Sequence, residues 1–276
     1  MKIKYIGAFV CRLLLGFKDK KKDYMNILGR KFLVTKDMSW CFADGDYYEK
    51  NVIYWLDKLF DKLDKPVFYD IGANIGYYSI RYCDFADRIY SFEPVKTTFD
   101  LLVENIRLNN LKNVGVFNLG ISDQSGKRQI NLYSSSGNNS LFSRSIPNDI
   151  DLKKIGDQEV ELKILDDLVF NSKILPPGIM KIDVEGSELF VLKGAEKTIS
   201  KFKPVLLIEY SKATSDDAGY SRENILQQLN TEDYIIYGLS ESDTDLGLIE
   251  FKDFKINPPA NILAIPKLSG IQLGKG

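Results

Sequence analysis

The segment Asp70-Ile-Gly-Ala-Asn-Ile-Gly76 constrains this chain more than any other stretch. It follows a short apolar run, Val67-Phe68-Tyr69, and precedes a helical pattern over residues 77–85. Glycines at that place let a backbone turn sharply and approach a ligand without a Cβ clash. The N–H groups that open the next helix have no intrahelical partner. The alternation then continues: residues 88–92 read as a strand ending at Glu93-Pro94, 97–108 as a helix and 114–119 as a strand. Strands and helices in this order predict an α/β domain with a parallel sheet and helices on both faces.

The pattern breaks and then resumes. Residues 128–133 and 159–164 alternate polar and apolar side chains, as half-exposed strands do, and predict an inserted β-hairpin. Residues 134–140 between them are Ser, Gly and Asn, the composition of a flexible loop. Leu141-Phe142 follow, and a long loop inside a compact domain is more often functional than idle. Residues 179–182 are a strand ending at Asp183-Val184-Glu185-Gly186, and 187–200 a helix. Residues 205–208 are a strand ending at Glu209-Tyr210, 222–229 a helix, and 234–239 and 261–265 strands. Before Lys65 the chain reads mainly as helix, with a strand-like stretch at 31–35. Val52, Trp55, Leu56, Leu59, Phe60 and Leu63 share one helical face. Two units are expected: a helical appendage over 1–64 and a catalytic-size α/β domain over 65–270.

The spacing Asp-x-Gly-x-x-x-Gly differs from the Gly-x-Gly-x-x-Gly cradle that a pyrophosphate needs. S-adenosylmethionine (SAM) carries a carboxylate, an ammonium and a sulfonium but no phosphate, and Asp70 at a strand end suits its cationic head group. Glu93 ends the next strand, about 20 residues on, where an acid accepts hydrogen bonds from ribose hydroxyls. Ser122-Asp123 follow the third strand, where an adenine edge would lie; both are equally common turn residues. Asp183 and Glu209 end two further strands, and catalytic groups in open α/β sheets gather there. Glu185 and Glu188 stand close behind Asp183. Three roles are open for these acids: orienting SAM, acting as general base on a hydroxyl, or binding a divalent cation through oxygen. Glu185 and Glu188 also suit the first turn of a helix by charge alone.

Composition narrows the chemistry. Histidine is absent, which excludes Ser-His-Asp triads and His-ligated metal sites. Lys plus Arg is 37 and Asp plus Glu 38, so no nucleic-acid partner is expected. The three cysteines, Cys11, Cys41 and Cys83, lie far apart; they suggest inert thiols in a reducing, cytoplasmic setting. In residues 1–22, Ile3, Ile6, Val10, Leu13 or Leu14, and Phe17 form one apolar helical face, followed by Lys18, Lys20, Lys21 and Lys22. Such a helix either docks on the domain or rests on an anionic membrane surface, and it is too short to span one.

The pieces VFYDIGANIGYYSI, IYSFEPVKTTFDLLVENIRLNN, GISDQSG, GNNSL, ILDDL, IMKIDVEGSELFVLKGA, PVLLIEY and NILAIPK occur in that order. In this the chain resembles the FkbM-type methyltransferase family over residues 67–266. The resemblance implies a Rossmann-like class I fold, with a mostly parallel seven-stranded sheet whose last strand is antiparallel. It implies SAM-dependent O-methylation of a hydroxyl on a sugar, a glycan or a related small molecule. It carries over Asp70, Gly72, Asn74, Gly76 and Glu93 as cofactor residues, and Asp183 and Glu185 as active-centre residues. Two rivals are a nicotinamide-dependent oxidoreductase, which the glycine spacing opposes, and a non-catalytic SAM-fold binding protein, which the strand-end acids oppose.

Overall fold

The computed structural model describes residues 24–34, 49–147, 150–171, 173–229, 233–240, 246–255 and 258–273. The expected helix in residues 1–22, and Cys11 and Cys41, lie outside them. Strands β1 (Tyr24–Ile27) and β2 (Arg30–Leu33) pair as an antiparallel hairpin, and helix α1 (Lys50–Lys62) follows. Next come β3 (Phe68–Ile71), α2 (Tyr77–Arg81), β4 (Ile89–Phe92), α3 (Lys96–Leu108) and β5 (Val114–Phe117). The strands β6 (Gly120–Ile121), β7 (Gly126–Tyr133) and β8 (Lys154–Lys163) form a separate small sheet, closed by α4 (Leu165–Phe170). The alternation resumes with β9 (Ile179–Ile182), α5 (Glu188–Gly194), α6 (Glu196–Phe202) and β10 (Val205–Glu209). The described chain ends through α7 (Lys212–Asp217), α8 (Glu223–Gln228), β11 (Tyr234–Leu239), β12 (Leu248–Glu250) and β13 (Asn261–Pro266).

The main sheet runs β12-β11-β13-β10-β9-β3-β4-β5. Its central strands are buried along their length and mostly apolar because helices cover both faces, with Asp70, Ser91 and Lys181 as the polar exceptions on β3, β4 and β9. Strand β13 is antiparallel to both β10 and β11, as expected of the last strand. Seven strands match the expected set, and β12 adds an eighth on the outer edge of β11. The chain runs outward through β4 and β5 on one side of β3, and through β10 on the other side of β9. That reversal between β3 and β9 is a topological switch point, where ligands of open α/β sheets bind above the carboxyl ends. On one face, α1, α2 and α3 bury Trp55, Leu56, Ile80 and Leu102. On the other, α4, α5 and α8 bury Leu165, Val191, Leu192 and Ile225.

Two features depart from what the sequence predicts. The described part of the amino-terminal unit is a hairpin plus α1 rather than mainly helix, and it belongs to the domain core: Phe32 and Trp55 pack in one cluster with Phe68 and Ile80. Asn105 welds the hairpin on, accepting from Leu33 N at 2.6 Å and donating to the carbonyls of Leu33 and Ile75 at 3.0 and 2.9 Å. The helix expected over 187–200 breaks at Ala195 into α5 and α6. The break is stable because Asp166 accepts from Lys197 N, Thr198 N and Thr198 Oγ1 at 2.9, 2.8 and 2.7 Å, satisfying the new helix start. Cys83 is buried and burial pushes its thiol up to about 11, in keeping with an inert thiol. Among the described residues no helix is long and apolar enough to cross a membrane.

Candidate active site

A cleft opens above the switch point, lined by Gly72, Asn74, Tyr78, Glu93, Ile121, Lys181, Asp183 and Glu185 among others. Its near wall is the glycine loop. Gly72 N and Ala73 N both donate to Phe92 O at 3.0 Å, which ties the loop to β4. Gly72 has φ +86, and a Cβ there would stand 1.8 Å from the Asp183 carbonyl oxygen. The glycine thus serves a close approach between two chain segments. Asn74 is left-handed at φ 49, and its Oδ1 is buried with no partner among the described residues. Gly76 begins α2 and faces Leu102 rather than the cleft.

Glu93 joins two loops. Its Oε2 accepts from Asn74 N at 3.1 Å and its Oε1 from Val95 N at 2.9 Å. Burial pushes its carboxyl up to about 7, against the pull of those two N–H groups. Asp70 is not at the cleft surface, where a head-group ligand was expected. Fully buried beneath the loop, it accepts from Ser79 N and Ser79 Oγ at 3.1 and 2.5 Å, and Ser79 bonds onward to Ser91. The side chain thus fastens α2 to β3, and its Oδ1 has no partner among the described residues. Ser122 and Asp123 also stand outside the cleft lining. Ser122 N donates to Lys163 O at 2.9 Å, and its Oγ to Asp123 at 3.3 Å; Ile121 presents the apolar wall instead.

The floor is the turn after β9. The carboxylates of Asp183, Glu185 and Glu209 come within 4.8 Å of one another. Burial pushes Glu185 up to about 8, helped by Asp183 and opposed by Arg144. Glu209 is also raised well above the ordinary carboxylate value, by burial first and then by Glu185, Glu188 and Asp183. Glu188 turns inward and braces the turn, accepting from Val184 N at 2.9 Å and Gly186 N at 3.1 Å. Lys181 is a functional candidate that the sequence reading passed over. Its Nζ lies 2.7 Å from Asp183 Oδ2 and 4.6 Å from the Tyr78 ring centroid. Burial alone would lower its pKa, but Asp183, Glu49 and Asp70 together hold it above the ordinary lysine value. Tyr78 in turn donates to Glu49. The signal was one charged residue in an otherwise apolar buried strand.

The inserted hairpin supplies the far wall through Ile130, Ser136, Gly137, Asn139 and Leu141. The loop expected to be flexible is stitched down: Ser140 Oγ donates to Glu185 O at 2.7 Å, and Phe142 stacks on Phe190 at 5.7 Å.

A Gly-turn, a strand-end acid on β4 and a carboxylate group on β9 and β10, set in this strand order, define the class I methyltransferase architecture. The chain belongs to the FkbM methyltransferase family, whose domain model matches residues 70–236. It is 27% identical over 193 residues to the hexuronic acid methyltransferase AglP of Haloferax volcanii, covering 65% of this chain and 73% of that protein. It is 29% identical over 162 residues to the methyltransferase sdnD of Sordaria araneosa, covering 48% of this chain and 61%, less than two thirds, of that one. A crystal structure of methyltransferase FkbM from Methylobacillus flagellatus KT is similar at TM-score 0.46 and 22% identity, over 73% of this chain and 43% of the other.

Proposed function

We propose that this methyltransferase moves a methyl group from SAM to a hydroxyl of a sugar, a glycan or a related polar metabolite. One observation carries the reading: the convergent acids Asp183 and Glu185 share a single cleft with Gly72, Asn74 and Glu93. The residues present fit SAM. Val95, Ile121, Ile130 and Leu162 offer an apolar wall for a flat base, and Glu93 stands where ribose hydroxyls would be held. The buried, unpartnered Asn74 Oδ1 is an acceptor for a bound N–H group, and the surrounding acids favour a cation. When bound, SAM supplies an electrophilic methyl group on a sulfonium. The chain's own residues orient the acceptor, exclude water and take its proton.

Orientation of two reactants contributes about 7–11 kcal/mol. A positioned base adds roughly 10²–10⁴-fold. Positioning outweighs the base, so a cleft without histidine is sufficient. Asp183 or Glu185, with Glu209, would hold the acceptor hydroxyl and receive its proton. The acceptor class draws support from the name of the Haloferax volcanii relative, a hexuronic acid methyltransferase. Incubation of tritiated SAM with glycan and lipid-linked sugar pools should place label on a sugar oxygen; label on nitrogen or sulfur would overturn this. Asp183→Asn should lose most turnover while binding SAM normally in calorimetry, and full turnover would sink the base role. NADH in the same calorimeter should give no heat.

Two companion readings are proposed with it. The acids Asp183, Glu185 and Glu209 would also suit one hard divalent cation. Magnesium heat in calorimetry that disappears in Glu209→Gln supports that cation, and turnover indifferent to chelator removes it. Residues 1–22 would let a cytoplasmic protein touch an anionic membrane surface. Liposome flotation should weaken when they are deleted, and equal flotation ends that idea.

A further inference from the structure

We infer that Arg144, carried by the inserted hairpin, is a positioning residue for Glu185. The inference rests on the reading of Glu185 as an acceptor-facing group. Arg144 Nη1 donates to Glu185 Oε2 at 2.7 Å, and the two side chains are 13% and 23% exposed. The arginine is itself anchored before it meets Glu185. Its backbone N donates to Tyr133 Oη at 2.8 Å, and Nε lies 3.8 Å from Asp217 Oδ2 on α7. Ser145 N adds a bond to Asp217 Oδ1 at 3.0 Å.

Glu185 sits in the left-handed region at φ 55, a conformation that non-glycine residues adopt where their surroundings impose it. The insertion imposes it from two sides: Ser140 Oγ holds the carbonyl oxygen and Arg144 the carboxylate. The charged groups around Glu185 are Asp183 before it, Glu188 on α5 and Glu209 on β10. Lys181 is engaged by Asp183, so among the described residues Arg144 is the cation in ion-pair contact with Glu185. With Oε2 engaged by the guanidinium, Oε1 is the oxygen left for a hydroxyl. The hairpin therefore takes part in the transfer step and does more than wall the cleft.

The test is a double-mutant cycle on Arg144 and Glu185. Transfer from tritiated SAM to a panel of p-nitrophenyl glycosides and p-nitrophenyl glucuronide gives kcat, and calorimetry gives the SAM Kd. Arg144→Met should lower kcat about tenfold or more with the SAM Kd nearly unchanged. Arg144→Lys, which keeps charge without the fork, should recover part of the loss. In a Glu185→Gln background, Arg144→Met should add less than about twofold, because its route to the chemistry is already gone. An equal loss in that background, or normal kcat in Arg144→Met, overturns the inference alone. Should Arg144→Met fail to fold, Arg144→Lys against the same background decides on the same grounds. Normal kcat in Glu185→Gln overturns the reading of Glu185 as acceptor-facing and the inference with it, while no transfer by the native chain to any of the panel counts against the proposed function on which both stand.

Discussion

Gly72 answers to two constraints at once, since it lines the cleft and also lets two chain segments approach closely. In sequence it looked like room for a ligand; in the structure a Cβ would stand 1.8 Å from a backbone oxygen of Asp183. Gly72→Ala should therefore push the loop off the floor of the cleft, costing roughly 3 kcal/mol or more in urea denaturation and weakening SAM binding in calorimetry. Unchanged stability would show that the two segments can part without harm. Asp70 was likewise conspicuous at a strand end, yet strand alternation turns it inward onto Ser79. Lys181 could have been found, since a lone charge within the apolar run 179–182 demands a partner. Arg144 could not: its partner lies across a long insertion, and nothing local in the sequence pairs them.

At the level of elements, apolar runs and helical periodicity were enough to place β3, β4, β5, β7, β8, β9, β10, β11, β13, α1 and α3 close to where they form. The pieces β6, β12, α4 and α7 are 2–6 residues long, too short for any period to register. The break between α5 and α6 depends on a side chain from another element. Asp166 on α4 holds the start of α6 by three hydrogen bonds, a structural role for the first Asp of the ILDDL piece. Asp166→Ala should lower stability by about 2 kcal/mol, since bonds to a charged acceptor are each worth up to about 3. Turnover at low temperature should be kept, because Asp166 is absent from the cleft lining; a selective loss of kcat in an otherwise well-folded variant would contradict this.

For the molecule as a whole, the concentration of buried acids sets a pH dependence. Glu93 is raised to about 7 and Glu185 to about 8, and Glu49, Asp70, Glu188 and Glu209 are raised too, all chiefly by burial. The folded chain thus holds more protons than the unfolded chain above the ordinary carboxylate range near pH 4. This contribution to stability is complete below that range and fades as pH rises through about 7 and 8. The calorimetric midpoint should fall between pH 5.5 and pH 8.5 at fixed ionic strength, and a rise would contradict the assignment of these acids as buried.

The antiparallel β13 carries a different consequence. It lies between β10 and β11, yet it is synthesised after both, and Asn261 is the residue across from Glu209. Until residues 261–266 are made, β10 and β11 lack the strand that joins them in the finished sheet, and unpaired strand edges invite mispairing. The order of synthesis is therefore not the order of the strands in the sheet. Glu209 gains its final neighbour only when residues 261–266 slot into the sheet, so a nascent chain carries an incomplete acid cluster until that strand arrives.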